Sequence, residues 1–207
     1  LGKRDQARGS ALEAMQIGAE LTALDPKNIT WSYFYGQSHW WLARLADKQD
    51  TDAQTHAEKA LSILANAHAQ DPTNDHIALW LAKSRNLQAE FALLHGNAGA
   101  VPEHTQAALD ALAPFWKSER KEDYRIVLAE AYWLKGQAAR ADGNLTEADE
   151  HWQQALALLS EGGHKAPPFL RLEMLVRTLN SLGRKAEAEV HIERLGQSGF
   201  VPLQPYP

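Results

Sequence analysis

The chain has 207 residues, with 21 Lys and Arg against 26 Asp and Glu for a formal charge of −5, enough for one full-sized domain or one short repeat array. The acidic balance argues against a generally phosphate-binding surface. The absence of Cys removes disulfides, thiol catalysis and Cys-ligated zinc, and no run of about 18 apolar residues is present to cross a bilayer. Ala and Leu total 62 residues against 11 Val and Ile; Ala and Leu are good helix formers and β-branched residues favour strands, so the composition predicts an all-α chain.

The chain opens Leu1-Gly2-Lys3-Arg4, without Met or an apolar signal core, and reads as a processed form or an excised segment. Nothing in the composition chooses between cytoplasm and periplasm. Hydrophobic periodicity and breaker residues predict nine helices, at 3–24, 29–46, 52–70, 74–95, 102–117, 120–141, 144–160, 168–182 and 185–196. Asp25-Pro26-Lys27-Asn28 and Asp71-Pro72-Thr73-Asn74 are the same phrase 46 residues apart. In each, Asp-Pro stops one helix and Asn can cap the next. The offset continues on both sides: Ala11, Ala14 and Ile17 match Ala57, Ala60 and Ile63, and Trp31, Phe34, Tyr35, Ser38, Trp41 and Leu45 match Ile77, Trp80, Leu81, Ser84, Leu87 and Phe91. That spacing predicts a buried stripe on each helix, with Trp31, Phe34, Tyr35, Trp41 and Leu45 as core.

A second pair, Gly143-Asn-Leu-Thr-Glu-Ala148 and Gly183-Arg-Lys-Ala-Glu-Ala188, lies 40 residues apart. Each predicts a Gly-terminated helix, a short turn and a helix whose small Ala admits a close neighbour. At the end, Gly199 to Pro207 cannot continue a helix because Pro202, Pro205 and Pro207 lack donors. The expectation is an extended tail whose Phe200, Val201, Leu203 and Tyr206 lie back over the last hairpin as a cap.

Chemical motifs are few. No His-x3-His pair places two imidazoles on one helix face, and the one Glu-x-x-His, Glu161 to His164, contains two glycines. The nine histidines therefore read as scattered surface residues. Nucleophile elbows, phosphate loops and dinucleotide fingerprints are missing, so no catalytic, cofactor or metal residue is expected, and the chain reads as no enzyme. Glu147, Asp149 and Glu150 suit the positive end of a helix dipole. Lys117, Arg120, Lys121 and Arg125 alternate with Glu119, Glu122 and Asp123, a pattern of intrahelical ion pairs rather than a nucleic-acid patch. Neither nucleic acid nor direct membrane contact is expected.

The residues Tyr132, Gly136, Gly143, Ala148, Trp152 and Ala155 resemble the tetratricopeptide repeat pattern, and Leu172, Leu175, Gly183 and Ala188 continue it, with Val176 where the family has Gly. The chain also resembles the tetratricopeptide segments at the C-terminal ends of large multidomain bacterial regulators. The resemblance implies one domain over 1–207, a right-handed α-solenoid of about four antiparallel helical hairpins with extended helices and the tail 199–207. Gly36, Ala82, Gly136 and Val176 then align as the small-residue position, with Gly36, Ala82 and Gly136 each expected against a neighbouring helix. The concave surface would carry Tyr33, Gln37, Trp40, Lys83, Asn86, Trp133, Gln137, Arg140, Arg177 and Asn180, with Leu79 and Glu173 in the same rows. Apart from Glu173 this face reads as free of acids. Arg, Lys, Asn and Gln bind peptide backbone and carboxylates, and Trp and Tyr add flat apolar contact. Family members that hold C-terminal carboxylates use Lys, Asn and Arg in similar places. The expected function is a non-catalytic module binding a protein or peptide in this groove; the alternative is self-association through the same repeats.

Overall fold

The repeated Asp-Pro-x-Asn phrase acts as punctuation in three dimensions. Asn28 and Asn74 accept hydrogen bonds from the backbone N–H groups of Trp31 (3.2 Å) and Ile77 (3.3 Å), satisfying donors that a helix start leaves open. Asp25 and Asp71 accept from Lys27 and Thr73 two residues on, both at 3.2 Å, which fixes the turn. A computed structural model describes residues 2–47, 50–115, 121–161 and 169–202. It is all-helical: among the described residues are nine α-helices and no strand. They are α1 (Gly2–Leu24), α2 (Ile29–Leu45), α3 (Thr51–Gln70), α4 (Asp75–Leu94), α5 (Val101–Leu112), α6 (Lys121–Ala141), α7 (Leu145–Ser160), α8 (Phe169–Ser181) and α9 (Lys185–Gln197). Short 3₁₀ turns cover Ala98–Ala100 and Ala113–Phe115. The boundaries expected near 117–120 and 168 lie outside the described residues.

Every helix packs on its chain neighbours, and the even-numbered helices also touch one another, α2 on α4, α4 on α6 and α6 on α8. The pairing residues give the directions. Arg4 at the start of α1 donates to the carbonyls of Leu45 and Ala46 at the end of α2, both at 3.0 Å, so α1 and α2 are antiparallel. Tyr124 reaches Asp75 and Asn86 reaches Glu130, so α4 and α6 run parallel. The result is a repeat-like helical architecture.

Small residues set the close contacts. A Cβ added to Gly36 would stand 2.7 Å from Leu64 Cγ, and one added to Gly136 would stand 2.5 Å from Trp152 Cδ1. Ala82 is fully buried. The three aligned small positions thus each meet a neighbour, as the sequence predicts. At the ends of α6 and α8, Gly143 and Gly183 take φ of +80° and +72°, which only Gly adopts without strain. The N–H groups of Asn144 and Arg184 then close back on Ala139 and Leu179 at 2.8 and 2.9 Å.

The tail is partly as expected. Phe200 donates its N–H to Leu195 and packs with Leu172, Val176, Leu179 and Ala188. Val201 is 78% exposed, however, and does not fold back. Leu203 and Tyr206 lie outside the described residues.

Candidate functional site

At 100° per residue, α2 divides into two faces. Gly36, Ser38, His39, Leu42, Ala43 and Leu45 are buried. Tyr33, Phe34, Gln37, Trp40, Trp41 and Arg44 fall together on an arc of about 120° opposite them. This corrects the expected core stripe at two positions: Phe34 is 56% exposed and Trp41 is 41% exposed. The physical reason lies in the repeat. The matching residues Trp80 and Leu87 on α4 pack against α2, through Trp40 and through Ala43 and Ala46. No even-numbered helix precedes α2 among the described residues, so the same face stays open there.

The open arc carries a cluster of indoles. Trp40 meets Trp41 and Trp80 edge to face at centroid distances of 4.9 and 5.3 Å, and Trp41 meets Trp80 at 6.2 Å. Such tilted pairs suit the ring quadrupoles. Trp40 Nε1 donates to the Lys83 carbonyl at 3.3 Å, and the Lys83 ammonium lies 4.3 Å from the Trp80 centroid. Burial lowers the Lys83 pKa, opposed by Asp123 and Glu130.

Beyond this cluster the expected groove is largely closed by its own partners. Asn86 is buried, donating to the Val127 carbonyl at 2.8 Å and to Glu130 at 3.1 Å. Gln137 is buried and donates to Ser181 Oγ at 2.9 Å, where Trp133 Nε1 also donates at 3.0 Å. Arg177 is buried and paired with Glu173 at 3.0 Å. Asn180 is half-buried on α8. Asn86 and Gln137 tie parallel helices together, while the Arg177–Glu173 pair lies within α8; the three side chains expected in an open row are buried and already engaged inside the chain. Tyr33, Gln37, Trp40, Lys83 and Trp133 are half-buried, and Arg140 is exposed, lying 2.5 Å from Gln137 Oε1 and 5.6 Å from the Trp152 ring.

The face is not free of acids either. Glu90 binds Arg44 at 2.6 Å. Burial works against the Arg44 charge, but Glu90, Glu130 and Glu173 outweigh it and hold its pKa above the ordinary value. Sequence spacing hid Glu90, because it meets Arg44 from a different helix.

Two further features escaped the sequence. Arg171 is buried at the start of α8 and donates to the carbonyls of Leu159 and Glu161 at the end of α7, and to Glu122 of α6 at 2.8 Å. His39 is buried against His56 of α3, so the histidines are not all surface residues. Of the mixed-charge stretch, Arg125 pairs with Glu122 at 3.7 Å as expected, while Lys117, Glu119 and Arg120 lie outside the described residues. Among the described residues no three His, Asp or Glu side chains gather to hold a metal, and no helix is long and apolar enough to cross a membrane.

No family model matches this chain, and no curated protein does. The chain is similar to a crystal structure of BtubC (BKLC) from P. vanneervenii, at 14% identity over 99% of this chain and 95% of that one, with a TM-score of 0.48. The likeness is too distant to bear on function.

Proposed function

We propose that the chain is a non-catalytic protein-interaction module, a right-handed solenoid of tetratricopeptide-like hairpins from a larger bacterial regulatory protein. A peptide or protein partner lies on the open face of α2 where it adjoins α4. The observation that carries this reading is the exposure of Phe34, and of Trp41 beside Trp40 and Trp80, on one face of α2. Large aromatics left in water on one continuous arc are costly unless something covers them, and Trp and Tyr dominate binding hot spots. Arg44 on the arc and Lys83 beside it need no ligand, because each already has partners within the chain.

The test is selection of random displayed peptides on the whole chain, followed by binding measurements on a Phe34→Ala/Trp41→Ala variant. Selected peptides should lose at least tenfold in affinity on the variant while its thermal unfolding is nearly unchanged. Equal binding to both proteins removes the α2 face from consideration. Self-association is the second reading, supported by exposed Ile17 and Leu24 on α1 and Val190 on α9. It requires a mass that rises with concentration in sedimentation equilibrium.

A further inference from the structure

His39 of α2 and His56 of α3 face each other with their Nδ1 atoms 2.7 Å apart. At that distance one Nδ1 must carry a proton and the other must accept it, because two bare nitrogens or two N–H groups would repel. His39 is 1% exposed, and its Nε2 is buried without a hydrogen-bond partner. An orphan acceptor is cheaper to bury than an orphan N–H, so His39 is assigned as the Nδ1–H donor and His56 as the acceptor.

A second proton has no good place to go. On His56 Nδ1 it destroys the shared hydrogen bond and sets two N–H groups against each other. On His39 Nε2 it creates a buried imidazolium with no acceptor. The surroundings add to the difficulty. Tyr35 of α2 covers His39 edge to face at 4.8 Å. The charged groups facing the pair are Arg8 from α1, Lys59 from α3, and Asp50 and Asp52 at the start of α3. The two cations oppose protonation and the two carboxylates favour it. Burial, then His56 and Lys59, push the His39 pKa down to about 4, and burial followed by Lys59 lowers that of His56.

We propose that His39 and His56 form a one-proton latch that clamps α2 to α3, and that mild acid opens it by forcing a second proton onto the pair. The latch sits on the side of α2 opposite Trp40 and Trp41, so it governs the seating of the helix whose other face is open. It does not depend on any ligand, and its test is separate from that of the docking face.

The direction in pH follows from linkage. Both imidazoles bind protons less tightly in the folded chain than in the unfolded one, so the unfolded state holds more protons as the pH falls. The stability His39 contributes is complete above about pH 6.5 and is lost between there and about pH 4, and that of His56 is lost in the same direction as the pH falls.

Imidazole NMR titration of the whole chain, with amide hydrogen exchange at a series of pH values, tests the latch. The two histidines should titrate below the ordinary range. Protection factors in α2 and α3 should fall at least tenfold more between pH 7 and 4.5 than those in α6 and α7. A His39→Phe/His56→Phe variant should lose that selective response. Ordinary titration of both rings near pH 6.5, or equal loss of protection in the two halves, overturns the latch. If the variant does not fold, the native titration alone decides.

Discussion

Replacing Arg171 by Met tests how α7 is joined to its neighbours. The Arg171 side chain is 7% exposed and closes three contacts, to the Leu159 and Glu161 carbonyls and to Glu122. The carbonyls are among those a helix end leaves without partners, and a cation there also meets the negative end of the α7 dipole. Met fills much of the same space, so the packing loss is small and the polar loss is isolated. Removing one partner of a buried ion pair costs about 3–5 kcal/mol. Glu122 is 22% exposed and retains Arg125 at 3.7 Å, which softens the cost to about 2–4 kcal/mol. For a chain of this length that is a fall of about 5–15 °C in melting temperature. Urea unfolding of Arg171→Met, Glu122→Gln and the double variant should give a coupling above about 1 kcal/mol between the two sites. A loss below 1 kcal/mol for Arg171→Met, with no coupling, would refute the clasp.

Gly136→Leu should cost on the order of 1–3 kcal/mol or more in denaturant unfolding, because the Trp152 indole occupies the space and its Nε1 is held by the Trp133 carbonyl at 3.3 Å; a neutral result would break the alignment of small positions. Phe200→Ala should cost about 1–3 kcal/mol, since the ring packs on Leu172, Val176 and Leu195 and lies 5.9 Å from Phe169. An unchanged melting temperature for that variant would remove Phe200 as the cap of the last hairpin.

What was legible in the sequence is what acts locally. Asn28 and Asn74 cap helices three residues on, and Gly143 and Gly183 release the φ that ends α6 and α8. Gly36 and Gly136 could be placed because absence of a side chain is itself a steric statement. The side chosen by Phe34 and Trp41 was not legible. Hydrophobic size says that a residue would gain from burial; it does not say that a neighbour exists to bury it. Gly36, Ala43 and Leu42, smaller residues all, were the ones that met α3 and α4 or α1. The tertiary pairs were hidden for a different reason. Arg44 and Glu90 are 46 residues apart, Arg171 and Glu122 are 49, and His39 and His56 are 17, separations with no period that a helix reading detects.

These pairings also constrain how the proposed partner would be recognised. A carboxylate seeking Arg44 must displace Glu90 from a 2.6 Å contact. One seeking Arg177 must displace the buried Glu173 from a 3.0 Å contact. Breaking either pair costs about as much as a new pair returns, so the cations of α2 and α8 contribute little net affinity. Covering Phe34 and Trp41 displaces only water, and the indole faces are already held in place by Trp40 and Trp80. On the proposed reading, recognition on this face would rest on apolar contact at α2, while the polar residues of α4, α6 and α8 hold neighbouring helices together.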